Sequence, residues 1–495
     1  MINNMIIDNM SLNFNVVPYK YNFSNAVALT VYLIGDSWND YGYRTLYKIT
    51  LFDENCIKHE LGHVKIANFD QTTESCIALE DEFEQLDEQF FSLGQSPEYY
   101  SKINALDPEL KNKFLIAIRD IVYDEKLQQQ ALKEDVTQTS LLRFTSLVTV
   151  QEQYKRILDG GAVLTPYNFS YSTKQTETEA GYELTFNVKP ESNPPTNIHV
   201  LIGRNGVGKT HLLNNMVKSF IKTNDSIGNF QIQDRLRGGS GEFFSHVISV
   251  SFSAFDPFYP YSEDKHPTYS YIGLKKEKEL KNSDELADEL AKVIAQLDPT
   301  KKELWQRAID GLASDPNFRE LNLSQLIRIS AQNNAVLFKQ LSSGHAIVLL
   351  SITKLIEKIE EKTLILLDEP ESHLHPPLLS AFIRTLSDLL INRNAVAIIA
   401  THSPVITQEV PKSCIWKLWR SGLTAKAERF ETETFGESIG KLTREVFGLE
   451  VNESGFFKML STEVNRGLSY DEIVEKYDDQ LGFEARLLLR SLLKN

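Results

Sequence analysis

Two stretches of the chain concentrate residues able to handle phosphate. Gly203-Arg204-Asn205-Gly206-Val207-Gly208-Lys209-Thr210 follows an apolar run, Ile198 to Ile202, and opens a helical pattern from Thr210 to Lys222. It fits GxxxxGK[ST] in the strand–turn–helix context that this pattern requires. Glycines let the backbone curl so that successive N–H groups face an anion at a helix N-terminus. Lys209 is then placed to reach the β- and γ-phosphates, and the Thr210 hydroxyl to ligate Mg²⁺. The second stretch, Thr363-Leu364-Ile365-Leu366-Leu367-Asp368-Glu369-Pro370, is a continuous apolar run ending in two carboxylates. Such a run reads as a parallel strand buried on both faces, and open α/β sheets bind their ligands at the C-terminal ends of strands. Asp368 is positioned for the Mg²⁺ shell and Glu369 to polarise an attacking water. ATP and Mg²⁺ are therefore the expected cofactors.

Two more segments set the class. Leu341-Ser342-Ser343-Gly344-His345 precedes an apolar helix, and the apolar run Ala395 to Ala400 ends in Thr401-His402-Ser403-Pro404. In order, the four segments resemble the Walker A, signature (LSGGQ), Walker B and switch-histidine motifs of ABC-type ATPases, over roughly Tyr182 to Leu418. The resemblance implies a P-loop α/β fold of the ABC head type. It also implies that Leu341, Ser342, Ser343 and Gly344 bind an ATP held on another subunit, with a Ser hydroxyl and the Gly amide contacting its γ-phosphate, as helix N-termini bind anions. His402 would act beside Glu369 at the γ-phosphate.

After Glu369 this chain reads Pro370-Glu371-Ser372-His373-Leu374-His375-Pro376, unlike the D-loop usual in transporter ATPases, and His402 is followed by Ser403-Pro404 rather than Asp. This wording resembles the soluble branch that contains SMC/Rad50/RecF heads and overcoming-lysogenization-defect (OLD) ATPases. Within that branch it is most similar to the PtuA family, the ATPases of Septu anti-phage systems that also accompany some retrons. The resemblance implies a homodimer with ATP sandwiched between heads, hydrolysis that is slow or partner-regulated, and a separate effector nuclease of HNH type. DNA or RNA would be reached through that complex. The alternative is a DNA repair or recombination ATPase that binds DNA directly. A nuclease in its own right would need a Toprim domain, for which the tail is too short and too helical. A transporter ATPase would need a separate membrane subunit.

Two departures from the pattern stand out. The strand expected at His246 to Phe252 runs into Ser253-Ala254-Phe255-Asp256 without the usual Mg²⁺-coordinating Gln, so Ser253, Asp256 or a water must substitute. His345 stands where the signature usually has Gln.

Other groupings invite a metal reading and are set aside. His59-Glu60-Leu61-Gly62-His63 fits HExxH, but zinc peptidases need that motif on a helix. The flanks alternate like a strand, Gly62 is a poor helix former, and on a strand the two histidines stand about 13 Å apart. His373 and His375 fall in the D-loop region, at the interface that the resemblance implies. Trp38, Trp305, Trp416 and Trp419 read as core or interface residues.

The elements that must position these residues fall into blocks. Strand-like runs at Val27 to Ile34, Tyr43 to Phe52 and Cys56 to Phe69 precede a helical pattern from Leu79 to Lys133, with a start signal at Asp107-Pro108. The stretch Thr173 to Ala180 and the segment Lys189 to Thr196 flank a strand, Tyr182 to Val188. The segment Leu274 to Ile327 reads as charged helices, with Leu286, Leu290, Val293 and Leu297 on one face after an expected N-cap at Ser283. The expected organisation is 1–160, β-rich then helical; 161–273, the first lobe of the head with Walker A; 274–335, a helical insertion; 336–436, the second lobe with signature, Walker B and switch His; and 437–495, a helical C-terminal region. At 495 residues more than one folded unit is expected. Three cysteines, Cys56, Cys76 and Cys414, make no disulfide framework. No run is long and apolar enough for a membrane span and no secretory leader is evident, so no membrane partner and a cytoplasmic location are expected. A net charge of −15 disfavours a protein that coats nucleic acid.

Overall fold

The computed structural model describes residues 12–73, 79–161, 163–175, 181–222, 227–232, 244–253, 257–276, 279–320, 323–327, 338–339, 341–422, 424–453 and 455–493. Its centre is a seven-stranded sheet built from β1 (Ile198–Gly203), β2 (His246–Ser251), β3 (Tyr269–Gly273), β4 (Thr363–Asp368), β5 (Val396–Thr401), β6 (Ile415–Ser421) and β7 (Thr424–Glu428). The strands lie in the order β3-β2-β4-β5-β1-β6-β7, parallel throughout except for the final β6–β7 pair. This is the P-loop α/β fold class expected from the motifs. Burial explains why β4 and β5 read as unbroken apolar runs. Along β4, Leu364 and Leu366 enter the core on one face, and Ile365 and Leu367 enter the core on the other. A strand covered on both sides has no solvent face to be polar.

On one face, α1 (Lys209–Lys222) packs with Leu212, Leu213 and Met216 against the sheet. A three-stranded antiparallel sheet, Asn229–Ile232, Tyr167–Thr173 and Tyr182–Val188, adds Phe169 and Phe186 to the same core. The other face carries α2 (Ser283–Gln296), α3 (Pro299–Leu312), α4 (Ser343–Lys358) and α5 (Pro376–Asn392). Trp305 is fully buried there and donates to Thr353 Oγ1 at 2.8 Å.

Two details of the helical insertion differ from expectation. The first helix is capped by Asn282, not Ser283: Asn282 accepts from Glu285 N while the Glu285 side chain accepts from Asn282 N. That capping box depends on the spacing of Asn282 and Glu285, which outranks the nearer serine. The segment also starts with a short hairpin, Lys275–Lys276 with Glu279–Leu280, rather than with helix. Along α2, Leu290 and Val293 are buried, Leu297 just past its end is buried as well, and Leu286 packs at the margin of the same core.

The N-terminal region is a six-stranded sheet ordered Glu82–Phe83, Asn13–Val17, Thr30–Gly35, Leu46–Phe52, Lys58–Asn68 and Phe90–Gly94, followed by helices. Phe90–Gly94 corrects the helical reading of Leu79 to Lys133. Its five residues are all buried, and so short an apolar run carries no period by which strand and helix can be told apart. His59-to-His63 lies within the strand Lys58–Asn68, where His59 pairs with Asp53 at 2.9 Å. The motif is not on a helix. The region meets the head near the start of β4, where Ser146 N donates to Glu360 at 2.8 Å and Arg156 pairs with Glu361 at 2.6 Å. Beyond β7 come helices Ile439–Glu453, Gly455–Asn465, Tyr470–Lys476 and Phe483–Leu492. The last three share a small core of Leu460, Ile473 and Leu489.

Candidate nucleotide site

The loop between β1 and α1 needs its glycines. Gly206 and Gly208 hold φ of 83° and 97°, in the left-handed region, and a Cβ on Gly203 would come within 2.5 Å of Leu418 O on the neighbouring strand. Lys209 opens α1 and is a buried residue. It donates to Gly203 O at 3.0 Å and Arg204 O at 3.2 Å. Burial pulls its pKa below the ordinary lysine value, and Glu369, Asp368 and Glu371 oppose that. Arg204 stacks over Trp419 at 5.3 Å.

Asn205, Gly206, Gly208, Lys209, Thr210 and Glu369 line one open cleft. Thr210 and Asp368 also line a common recess beside it. A hydroxyl and a buried carboxylate next to a lysine and a curled backbone form a hard-oxygen donor set that suits Mg²⁺ with a polyphosphate. Val207 is buried beneath the loop. Ser253 lies two residues past the end of β2, whereas Asp256, the other candidate for the Gln position, lies outside the described residues.

At the ends of β4 and β5 the carboxylates and the switch histidine converge. Glu369 adopts φ 45°, ψ 57° and is tied by its N–H to Ala400 O at 2.9 Å. Its Oε1 stands 3.8 Å from His402 Nδ1, in ion-pair range but too long for a directional hydrogen bond. Glu371 sits closer: its Oε1 is 3.2 Å from His402 Nδ1, accepts from His402 N at 2.7 Å and also accepts from the Thr401 hydroxyl. His402 is raised above the ordinary histidine value, by Glu369 first and then Glu371, and His402 in turn lowers Glu369. Glu371 was missed in the sequence reading, although it lies two residues after Glu369.

The signature segment lies elsewhere. None of Leu341, Ser342, Ser343 or Gly344 is among the residues that line the cleft. Ser342 caps α4, both serines are exposed, and Leu341 packs at the edge of the core. Gly344 is pressed against the His373 carbonyl. His345 bridges Ser342 Oγ at 2.5 Å and Asp315 Oδ1 at 3.1 Å, and His375 reaches Asp315 Oδ2 at 3.3 Å. Asp315 also escaped the sequence reading. The Asp315-Pro316 helix start that marks it is the same signal used at Asp107-Pro108.

Comparison with known proteins decides the family. The chain is 42% identical to the protein ea59 of Escherichia phage lambda over 500 residues, covering 94% of this chain and 95% of that one. The chain belongs to the ea59 family. Residues 261–407 of this ea59-family chain also match a family model described as "AAA domain, putative AbiEii toxin, Type IV TA system". That span holds the signature, Walker B and switch-histidine segments, and it begins after the loop at Gly203. Solved structures similar to this chain include two ATP-binding cassettes. One is an ATP-binding cassette of an ABC transporter in its ADP conformation, 16% identical, TM-score 0.32, covering 58% of this chain and 99% of that one. The other is a nucleotide-free ATP-binding cassette from an ABC transporter, 14% identical, TM-score 0.31, covering 57% and 96%. The family match gives this ea59-family chain an AAA-type ATPase domain over residues 261–407. Among the described residues no helix is long and apolar enough to cross a membrane.

Proposed function

We propose that this ea59-family chain binds MgATP and hydrolyses it between two paired heads, and that the pairing regulates a separate effector nuclease in anti-phage defence, as in Septu systems. The observation that carries the ATPase part is the convergence of Lys209, Thr210, Asp368, Glu369 and His402 on one sheet edge, while the signature serines face outward on α4. A site with a phosphate loop, Mg²⁺ donors and a base, but no signature of its own, is completed by the signature of a second copy. ATP then acts as the link between heads, and loss of the γ-phosphate loosens them, a two-state element that a partner can read.

Three features support a partnered regulator over an ATPase that grips DNA directly. The chain is acidic overall. The C-terminal helices expose Phe456, Met459, Phe483 and Leu487, apolar side chains of the kind that mark a protein interface. The matching family description names a toxin of a Type IV system. The experiment is recovery of tagged full-length Glu369→Gln protein from its native host with MgATP, followed by mass spectrometry. A stoichiometric HNH-type nuclease supports the effector reading. Recovery of the chain alone with bound DNA replaces it with a repair-type head.

A further inference from the structure

Asp315, at the junction after α3, is almost wholly buried, and Phe318 N at 3.4 Å, His345 Nε2 at 3.1 Å and His375 Nε2 at 3.3 Å are among the groups that reach its carboxylate. His375 is also the N-cap of α5, and its Nδ1 accepts from Leu378 N at 3.3 Å. A backbone N–H can only donate, so that Nδ1 is unprotonated and the proton of the ring sits on Nε2, facing Asp315. His375 is therefore neutral while it caps. It also has no lone pair to offer a metal at Nε2, although the nearest ligand atoms of the three side chains lie within 4.8 Å of one another.

That leaves one ring whose proton count is open. If His345 is neutral, its Nε2–H serves Asp315, its Nδ1 must accept, and the Ser342 hydroxyl donates inward. If His345 is charged, Nδ1–H donates to Ser342 Oγ at the same 2.5 Å, and the serine proton must turn outward. Ser342 Oγ already accepts from His345 N at 3.4 Å, which leaves the outward direction to the hydroxyl hydrogen. A γ-phosphate oxygen needs a donor, so only the second state serves it.

We propose that His345, braced by Asp315, is a positioning residue that sets Ser342 as an outward hydrogen-bond donor, so that engagement of a partner head's ATP takes up a proton at His345. This rests on the reading of paired heads given above. The groups facing His345 among the described residues are Asp315 after α3, His375 at the start of α5, the Phe318 ring and the His373 segment that abuts Gly344. The His373 ring itself is turned away, onto Phe252 O at 3.0 Å.

The test measures MgATP-driven dimerisation of full-length Glu369→Gln protein by light scattering, from about pH 6 to pH 8.5, with and without His345→Gln. Uptake of one proton per site makes the half-saturating ATP concentration rise by up to about tenfold per pH unit where the histidine titrates. His345→Gln keeps a neutral polar side chain but cannot take up the proton, and the excess slope should vanish. His402 and ATP itself titrate equally in both proteins, so the difference between the two curves isolates His345. Asp315→Asn should weaken dimerisation most at the alkaline end, while thermal melting reports whether each variant folds. A dimer with the same pH slope in both proteins overturns the proposal alone. Stoichiometric zinc in the purified protein, lost in His375→Ala, also overturns it. No dimer of the parent at any pH removes the paired-head reading and the proposal with it.

Discussion

Replacing Gly344 by Ala sets two effects of opposite sign against each other. Alanine in a helix is worth up to about 1 kcal/mol over glycine, so on propensity alone the variant should gain stability. The structure places a competitor in the way. A Cβ on Gly344 would sit well inside 3.0 Å of the His373 carbonyl oxygen, with Leu374 at 3.5 Å. That carbonyl has little freedom to retreat, because its own ring is bonded to Phe252 O at 3.0 Å and the next turn is pinned through His375 to Asp315. The start of α4 must therefore lift, and overpacking of this sort costs about 1–3 kcal/mol, which outweighs the propensity gain. The displacement needed, on the order of 0.5–1 Å, falls on Ser342 and Ser343, and misplacement by about 1 Å costs roughly 100-fold in rate. Scanning calorimetry with a steady-state phosphate-release assay reads both quantities. The expected result is a melting temperature lower by a few degrees with ATP turnover reduced on the order of 100-fold. A higher melting temperature with unchanged turnover would refute the packing of the signature helix on the His373 turn.

Three further outcomes are expected. Lys209→Ala should abolish ATP binding in a fluorescent-nucleotide titration, and retained binding with normal turnover would sink the site assignment. Glu371→Gln keeps acceptors for Thr401 and His402 N but removes a negative charge that holds His402 above its ordinary value. The His402–carboxylate attraction is present at low pH and lost as pH rises through that raised value, so the alkaline limb of ATPase activity should move to lower pH in the variant. An unmoved limb would exclude Glu371 from that role. Asp120, buried in the N-terminal region, is pushed from 3.8 up to about 6 by burial, against donors from Val122 N, Tyr100 Oη and Tyr123 N. Its contribution is present below the ordinary value and lost as pH rises through about 6, a change of about 3 kcal/mol. Chemical denaturation of Asp120→Asn against the parent should show their difference shifting by that order between about pH 4 and pH 7, and parallel curves would refute it.

The head was legible because its chemistry sits on local patterns. The turn at Gly203, the doubly buried runs of β4 and β5 and the serine that caps α4 each declare themselves within a few residues. What stayed hidden depends on contacts distant in sequence. Phe90–Gly94 is too short for its period to separate strand from helix. Asn282 took the cap from Ser283 because the side chain of Glu285 reaches back to it. Asp315 reaches His345 across 30 residues of chain and His375 across more, and no spacing rule connects them.

Glu369 shows what those distant contacts do for the site. It holds a left-handed backbone conformation directly before Pro370, a place where a non-glycine residue bears strain of order 1–3 kcal/mol. The conformation persists because the residues on either side are over-determined: Glu369 N is bonded to Ala400 O, and Glu371 is bonded to Thr401 and to His402. The strain turns the chain at the end of β4, so that Glu369 faces the phosphate loop while Glu371 faces β5. One carboxylate is then free for water, and the other fixes the histidine beside it. On the proposed reading, the base and the switch residue are in place before nucleotide arrives, and the missing component is the outward serine of a second head. Regulation then falls on the pairing of heads rather than on assembly of the base, which fits an ATPase whose turnover reports the presence of a partner.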